Sequence, residues 1–371
     1  MTDYADRFRR LRAEPSSDDG RDPPRAARVA RTGVEARGQP DAIQATLARG
    51  RPVNDALANA FKGRRIARVV ITGCGDSWIV GMAAKLGWER LLRAPLEAAE
   101  AFDYANYGVA LADAESLVIG LSAGGSTQIV LDALDRARAQ GAMTIGVSNT
   151  AGSAILTRYD GALLIEAERK GWPTQSSTAA IALLLDLAAA VSESQAMRVE
   201  LDGLPALVAR TLEASGPLAQ EIGEKYARAR LVLFAGAGPH YAPAAFGAAK
   251  IKELGPIHAY AQPLEEMHHY RAQKHGDLLF LIAPDPASHA RALDTAIVAK
   301  GVGGELVALV PEGETEIAAL ADHVFRLPPV SDAMAPLLYS TPIHLFAFHF
   351  ATARLALGLG APSPFPSDEG P

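Results

Sequence analysis

Three side chains in the second half of the chain carry the acid–base chemistry this sequence could perform. Lys250 and Glu253 stand three residues apart in AAKIKEL at 248–254, and His269 follows Glu253 by sixteen residues, after the acidic pair Glu265 and Glu266. On a helix, that first interval puts Lys250 and Glu253 on one face and turns Lys252 elsewhere. A carboxylate, an ammonium and an imidazole brought together can shuttle protons on a polar substrate. Taken alone, a Lys and a Glu at a helix end read as a solvated pair contributing a few tenths of a kcal/mol. The elements around them must decide.

The element that would position Lys250 and Glu253 is a strand, a glycine turn and a helix. Leu231 to Ala235 is apolar, Gly236-Ala237-Gly238-Pro239 breaks it, and an Ala-rich stretch from Tyr241 to Leu254 follows with its charges at the end. The same plan recurs along the chain. Strands are expected at Arg68–Thr72, Leu96–Ala99, Ser116–Leu121, Met143–Val147 and Ala162–Ile165, then at Leu231–Ala235, Leu278–Ala283, Glu305–Val310 and Val324–Leu327, with helices between. Such alternation calls for α/β architecture, a parallel sheet covered on both sides. Two tandem doubly wound units account for the length better than one large sheet. The expected division is a flexible extension over 1–38, a first domain with leading helices over 39–200, a helical linker over 201–228, a second domain over 229–360 and a loose tail over 361–371.

In an open parallel sheet the ligand lies beyond the carboxyl ends of the strands, at helix N-termini that offer unpaired N–H groups. Three turns of the first half place hydroxyls there. Ser77 follows the turn containing Gly75; Ser122, Ser126 and Thr127 surround Gly124 and Gly125; Ser176, Ser177 and Thr178 open a third helix. One such residue is simply a good cap, but three clusters in corresponding turns point to an anion held without an arginine. Neither the P-loop pattern nor the dinucleotide fingerprint occurs in these turns, so no nucleotide is implied. Trp172 is assigned either to the core or to the pocket wall, and Asp76 and Glu166 read as structural.

Composition narrows the partners. A formal charge of -6 and the absence of a basic cluster interleaved with aromatics argue against nucleic acid or a membrane surface. No run of about 20 apolar residues could span a bilayer. The charged opening residues lack the apolar core of a signal peptide, and the single Cys74 fits a reducing cytoplasm. Glu265, Glu266, His268 and His269 lack a recognised metal spacing, so no metal is expected.

The segments GCGDSW at 73–78, LSAGGST at 121–127, and AAKIKELGPIHA at 248–259 followed by EEMHH resemble the sugar isomerase (SIS) domain proteins. The likeness is to the double-domain isomerase portion of glucosamine-6-phosphate synthase and its relatives without the glutaminase domain. It covers about Gln39 to Gly360 and implies two flavodoxin-like domains. It also implies that Ser77, Ser122 and Thr127 bind a sugar phosphate, that Glu253 moves a proton between C1 and C2 with Lys250 beside it, and that His269 opens the sugar ring. In the family that histidine reaches into the neighbouring subunit's site, so a homodimer is expected. The chain departs from the synthase pattern at Ala123, Gly124 and Ser126. Phe246 stands where the synthase has a glutamate, and no lysine follows Lys300 to take the role of the synthase's carboxyl-terminal Schiff-base lysine. Amino transfer is thereby disfavoured. The expectation is a cofactor-independent aldose–ketose isomerase for a sugar phosphate or similarly anionic sugar. The alternatives are an amino-sugar-phosphate deaminase or fructosamine-phosphate deglycase, and a non-catalytic sugar-phosphate-binding regulator.

Overall fold

Apolar runs bounded by glycine turns become inner strands here because helices cover both faces of each sheet. The computed structural model describes residues 18–360. The expected tail at 361–371 and residues 1–17 of the expected extension lie outside the described residues. In the first half β1 (Arg68–Gly73), β2 (Leu96–Glu100), β3 (Ser116–Leu121), β4 (Met143–Ser148) and β5 (Gly161–Leu164) form a parallel sheet in the order β2-β1-β3-β4-β5. In the second half β6 (Leu231–Gly236), β7 (His258–Pro263), β8 (Leu278–Ile282), β9 (Glu305–Pro311) and β10 (His323–Leu327) repeat it as β7-β6-β8-β9-β10. The expected pair of doubly wound α/β units is therefore present. Strand β7 is an addition to the sequence reading: HAYAQP runs along the edge beside β6 with only Ala259 buried, so it lacks the continuous apolar signature of an inner strand.

The covering helices are α1 (Pro23–Arg37), α2 (Gln39–Phe61), α3 (Asp76–Leu92), α4 (Gln128–Ala139), α5 (Gln175–Val191), α6 (Gln195–Lys225), α7 (Tyr241–Leu254), α8 (Pro286–Gly301) and α9 (Ala335–Ala356). Helix α5 is apolar all round and is buried along almost its whole length, packed against α2 and α3. Helix α9 does the same in the second half, against α6, α7 and α1. Because α3 also packs on α7, one core runs from Ile71 and Ile119 through Trp88, Leu185 and Phe246 to Phe280 and Phe346. The two sheets are thus joined by packed side chains of the helices between them.

The expected flexible extension over 1–38 is corrected for its described part, where Pro23–Arg37 is a helix. Its charges are partnered rather than solvated. Glu35 is buried and accepts from the Lys170 and Gly171 amides at 2.7 and 3.0 Å. The Arg28 guanidinium lies 4.1 Å from the centre of the Trp172 ring, with Arg25 at 5.2 Å. The Trp172 amide donates to the Thr32 hydroxyl at 2.9 Å, and the ring is buried beside Val29, Leu254 and Ala351. Trp172 therefore clamps α1 and does not line the pocket. Trp172→Ala should destabilise the fold by about 3 kcal/mol and speed amide exchange across 23–37 more than across α5. Unchanged exchange in α1 would show that the clamp does not hold it.

Candidate active site

The winding reverses between the paired strands β1 and β3, and the crevice beyond their carboxyl ends is where an open α/β sheet takes its ligand. A Cβ on Gly73 would stand 2.6 Å from the Ser77 Cβ and 3.1 Å from the Leu121 carbonyl oxygen, so a glycine is needed for the strand end and the helix start to meet. Gly75, at φ 56°, then caps α3, whose first residues are Asp76 and Ser77. After β3 the loop folds onto the Ser122 hydroxyl, which accepts from the Gly125 amide at 3.1 Å and lies 2.8 Å from the Thr127 hydroxyl. Helix α5 points its start at the same place.

These turns shape a half-open pocket lined by Asp76, Ser77, Val80, Leu121, Ser122, Ala123, Val147, Asn149, Ile165, Pro173, Ser176, Ser177 and Ala180. The N-termini of α3 and α5 bring positive dipole ends to it. A Cβ on Gly124 would come within 3.8 Å of Arg169 Nη2, which sets a cation beside that loop. The pocket is therefore suited to an anionic polyol. Among the described residues no group of three His, Cys, Asp or Glu side chains is arranged to hold a metal ion. No described helix is long and apolar enough to cross a membrane.

Helix α7 delivers its charges to this pocket from the second half. Lys250 is fully buried, and its Nζ donates to Asp76 Oδ2 at 2.6 Å and to Glu253 Oε2. Burial pulls the ammonium's pKa down, but the two carboxylates outweigh it and leave it above the ordinary value. Burial pushes the Asp76 carboxyl up to about 6; Glu253 adds to the rise and Lys250 opposes it. The Glu253 side chain remains about one-third exposed. Arg25 closes the end of α7, with Nη2 donating to the carbonyl oxygens of Glu253 and Leu254 at 2.7 and 2.9 Å. Behind Lys250, buried His344 is held near 3 by burial and by the lysine's charge, with Nδ1 3.1 Å from Gln39 Oε1.

The SIS domain profile matches residues 64–190 and 225–354, one segment for each sheet. The chain belongs to the SIS domain family. An isomerizing glutamine–fructose-6-phosphate aminotransferase of Thermus thermophilus is 32% identical over 309 residues, 80% of this chain and 51% of that protein. The chain thus spans about half the length of the curated relatives it matches. Among solved structures, the C-terminal domain of glucosamine-fructose-6-phosphate aminotransferase from Francisella tularensis superposes with a TM-score of 0.75 at 22% identity, covering 91% of this chain and 98% of that one. The tagatose-6-phosphate ketose/aldose isomerase of Escherichia coli gives 0.72 at 19% identity, covering 86% and 92%. At these identities the structures speak for the fold.

On this SIS framework the expected residues separate by what they face. Ser77, Ser122, Ser176 and Ser177 line the pocket, and Lys250 and Glu253 reach it through Asp76. Thr127 supports Ser122 from an exposed position, and Ser126 is exposed beside it. Gly75, Gly124 and Gly125 shape the turns rather than line the pocket. Thr178 is turned away, its hydroxyl 3.4 Å from the Thr174 carbonyl and 3.3 Å from that of Gln175. His269 stands apart, exposed on the single turn Glu266–His269 with its ring 3.7 Å from Glu265. Glu166 pairs with Arg49 at 2.9 Å and is not among the pocket-lining residues. Asp76, expected to be structural, also lines the pocket and links it to α7 through Lys250. Its place at the first position after the glycine turn, directly before Ser77, was the available signal.

The Asp76 shift has a sign that can be tested. From about pH 4 to about 6 the folded chain keeps a proton that the unfolded chain has released. This group therefore lowers stability as pH rises through that window, and the full cost persists above it. An NMR carboxyl titration should show one aspartate with a midpoint near pH 6, absent in Asp76→Asn, and the variant's unfolding free energy should fall less steeply across the window. An Asp76 midpoint at the ordinary aspartate value would refute the assignment.

Proposed function

We propose that this SIS protein is an aldose–ketose isomerase acting on a sugar phosphate or similarly anionic sugar through an enediol. The observation that carries the reading is the chain of contacts from Glu253 through the buried Lys250 ammonium to Asp76 in the wall of a hydroxyl-lined pocket. Isomerisation needs one carboxylate within reach of two adjacent carbons, and Glu253 is fixed in place yet partly exposed. The anionic group is assigned to Ser77, Ser122 and Thr127 with the α3 N-terminus, and the sugar chain then extends toward α7. In this reading Glu253 takes the proton from C2 of the aldose and returns it to C1. Ring opening falls to His269, whose exposed position on the single chain fits a group offered to a second copy. The protein then works as a homodimer, in the cytoplasm, without an organic cofactor. The relatives' named activities on fructose 6-phosphate and tagatose 6-phosphate support a phosphorylated hexose as the class to test.

Glu253→Gln should lower turnover of the hexose phosphate by about 10²- to 10⁴-fold while leaving its binding nearly intact; normal turnover in that variant would end the proposal. His269→Asn should slow conversion of the cyclic sugar. If each site takes Glu253 from one subunit and His269 from the other, refolding the two variants together in equal amounts should restore about a quarter of wild-type activity. No recovery on mixing would place the two residues in one subunit's site. Release of ammonia or an amino acid as the main product would replace isomerisation by amine cleavage at the same carbons.

A further inference from the structure

The loop that carries Ser122 and Thr127 meets a guanidinium that no carboxylate of the described chain neutralises. Arg169 is exposed on the segment after β5, and both ends of that segment border the pocket. Asn149, in the pocket wall, donates from Nδ2 to the Ala167 carbonyl oxygen at 3.1 Å, and Pro173 lines the wall itself. Arg169 Nη2 lies 3.8 Å from where a Cβ on Gly124 would stand, so it packs against the bare backbone of that residue. Among the described residues Arg169 makes no hydrogen bond or ion pair. The carboxylates of its own segment are already taken: Glu168 pairs with Arg31 and Lys170, and Glu166 with Arg49. A second guanidinium, Arg28 on the Trp172 ring, also has no hydrogen-bonded anion among the described residues. Burial holds Arg28 below its ordinary range; Glu253 and Glu35 oppose the shift, and Arg169 adds to it. The loop has donors to spare as well. The amides of Ala123, Gly124 and Ser126 donate to no described group, whereas those of Gly125 and Thr127 turn inward to the Ser122 hydroxyl. Unmatched guanidinium beside free amides is an arrangement prepared for an oxyanion.

We infer that Arg169 is a specificity-determining substrate contact, whose guanidinium joins the free amides of the 122–127 loop in gripping the anionic group of the sugar. The inference rests on the assignment of that group to Ser77, Ser122 and Thr127. Gly124, where the chain departs from the synthase pattern, offers the anion no side chain, and Arg169 brings to that place a full charge and a planar set of donors. Hydroxyls and amides hydrogen-bond a neutral polyol as well as an anion. A guanidinium adds attraction for the anion alone. Arg169 is therefore the residue that separates a phosphorylated sugar from the same sugar without its phosphate. Because its side chain is exposed and unpaired, it can swing onto the ligand without breaking any contact of the fold.

The test is calorimetric binding of inorganic phosphate and of glucose 6-phosphate, at one ionic strength, to the full chain, to Arg169→Ala, to Arg169→Lys and to Lys170→Ala. Lys170 is the next residue, also exposed and already paired with Glu168, so its loss removes the same charge without removing a donor from the loop. Arg169→Ala should bind both ligands at least about 10-fold more weakly than the wild type, and Lys170→Ala within about 2-fold of it. Arg169→Lys should recover only part of the loss, because an ammonium restores the charge but not the planar set of donors. Equal losses in the two alanine variants would show a general field rather than a contact and overturn the inference. So would an unchanged affinity for phosphate in Arg169→Ala, or a wild type that does not bind phosphate. The isomerase reading fails separately: a wild type that holds phosphate through Arg169 yet converts no hexose phosphate would refute that reaction and leave this contact in place.

Discussion

One buried ammonium shared by two carboxylates organises this molecule. Lys250 comes from the second half of the chain, Asp76 from the first, and Glu253 from one turn further along the lysine's own helix. Withdrawing such a cation from water costs several kcal/mol, which only close, well-directed anions offset. The contact can therefore form only when the start of α3 and the end of α7 meet at a fixed separation. That separation also sets the distance between the hydroxyl-lined crevice and the carboxylate assigned to proton transfer. Packing of α3 on α7 supplies the contact area, and Arg25 holds the last turn of α7 by its carbonyls.

The fold is duplicated, yet its two crevices are chemically unlike. In the first, Ser77, Ser122, Ser176 and Ser177 face the ligand space. At the corresponding edge of the second sheet, the lining includes Asp285, His289, Glu314 and Glu316, together with Pro284, Pro286 and Pro311. The His240 ring, with Nε2 2.6 Å from Oδ2, holds the Asp285 carboxyl near 2, so this carboxylate stays ionised in the second crevice. An anionic sugar is favoured by the first environment and repelled by the second. In the proposed reading the second unit serves the first by presenting α7.

The sequence made the sheets, most helices and the Lys250–Glu253 face legible because these depend on local periodicity. The remaining features depend on contacts that periodicity does not encode. Asp76 acquires its contact from a lysine 174 residues away, and its place before Ser77 in GCGDSW does not encode that partner. Helix α1 was obscured because its arginines and Glu35 count as solvated charge in a composition scan, whereas here they meet Trp172 and backbone amides. Strand β7 was obscured by its edge position. Thr178 has the right residue type in the right turn, but its hydroxyl turns back to the helix backbone, and orientation about a helix start is not fixed by spacing alone.

The environment of Lys250 also limits what the lysine can do. Its ammonium has no exposed surface, and the two carboxylates keep it protonated. It therefore cannot act as a general base, and it cannot touch a sugar unless Asp76 or Glu253 moves aside. Its influence passes through those two residues, whose oxygens it orients. Preorganised charges of this kind lower a barrier because they need not reorganise as charge shifts along the substrate. The variable element is Asp76, which burial brings close to protonation near neutral pH. With that proton on, Asp76, Lys250 and Glu253 sum to zero charge; with it off, the group carries one negative charge beside a pocket otherwise lined by neutral side chains.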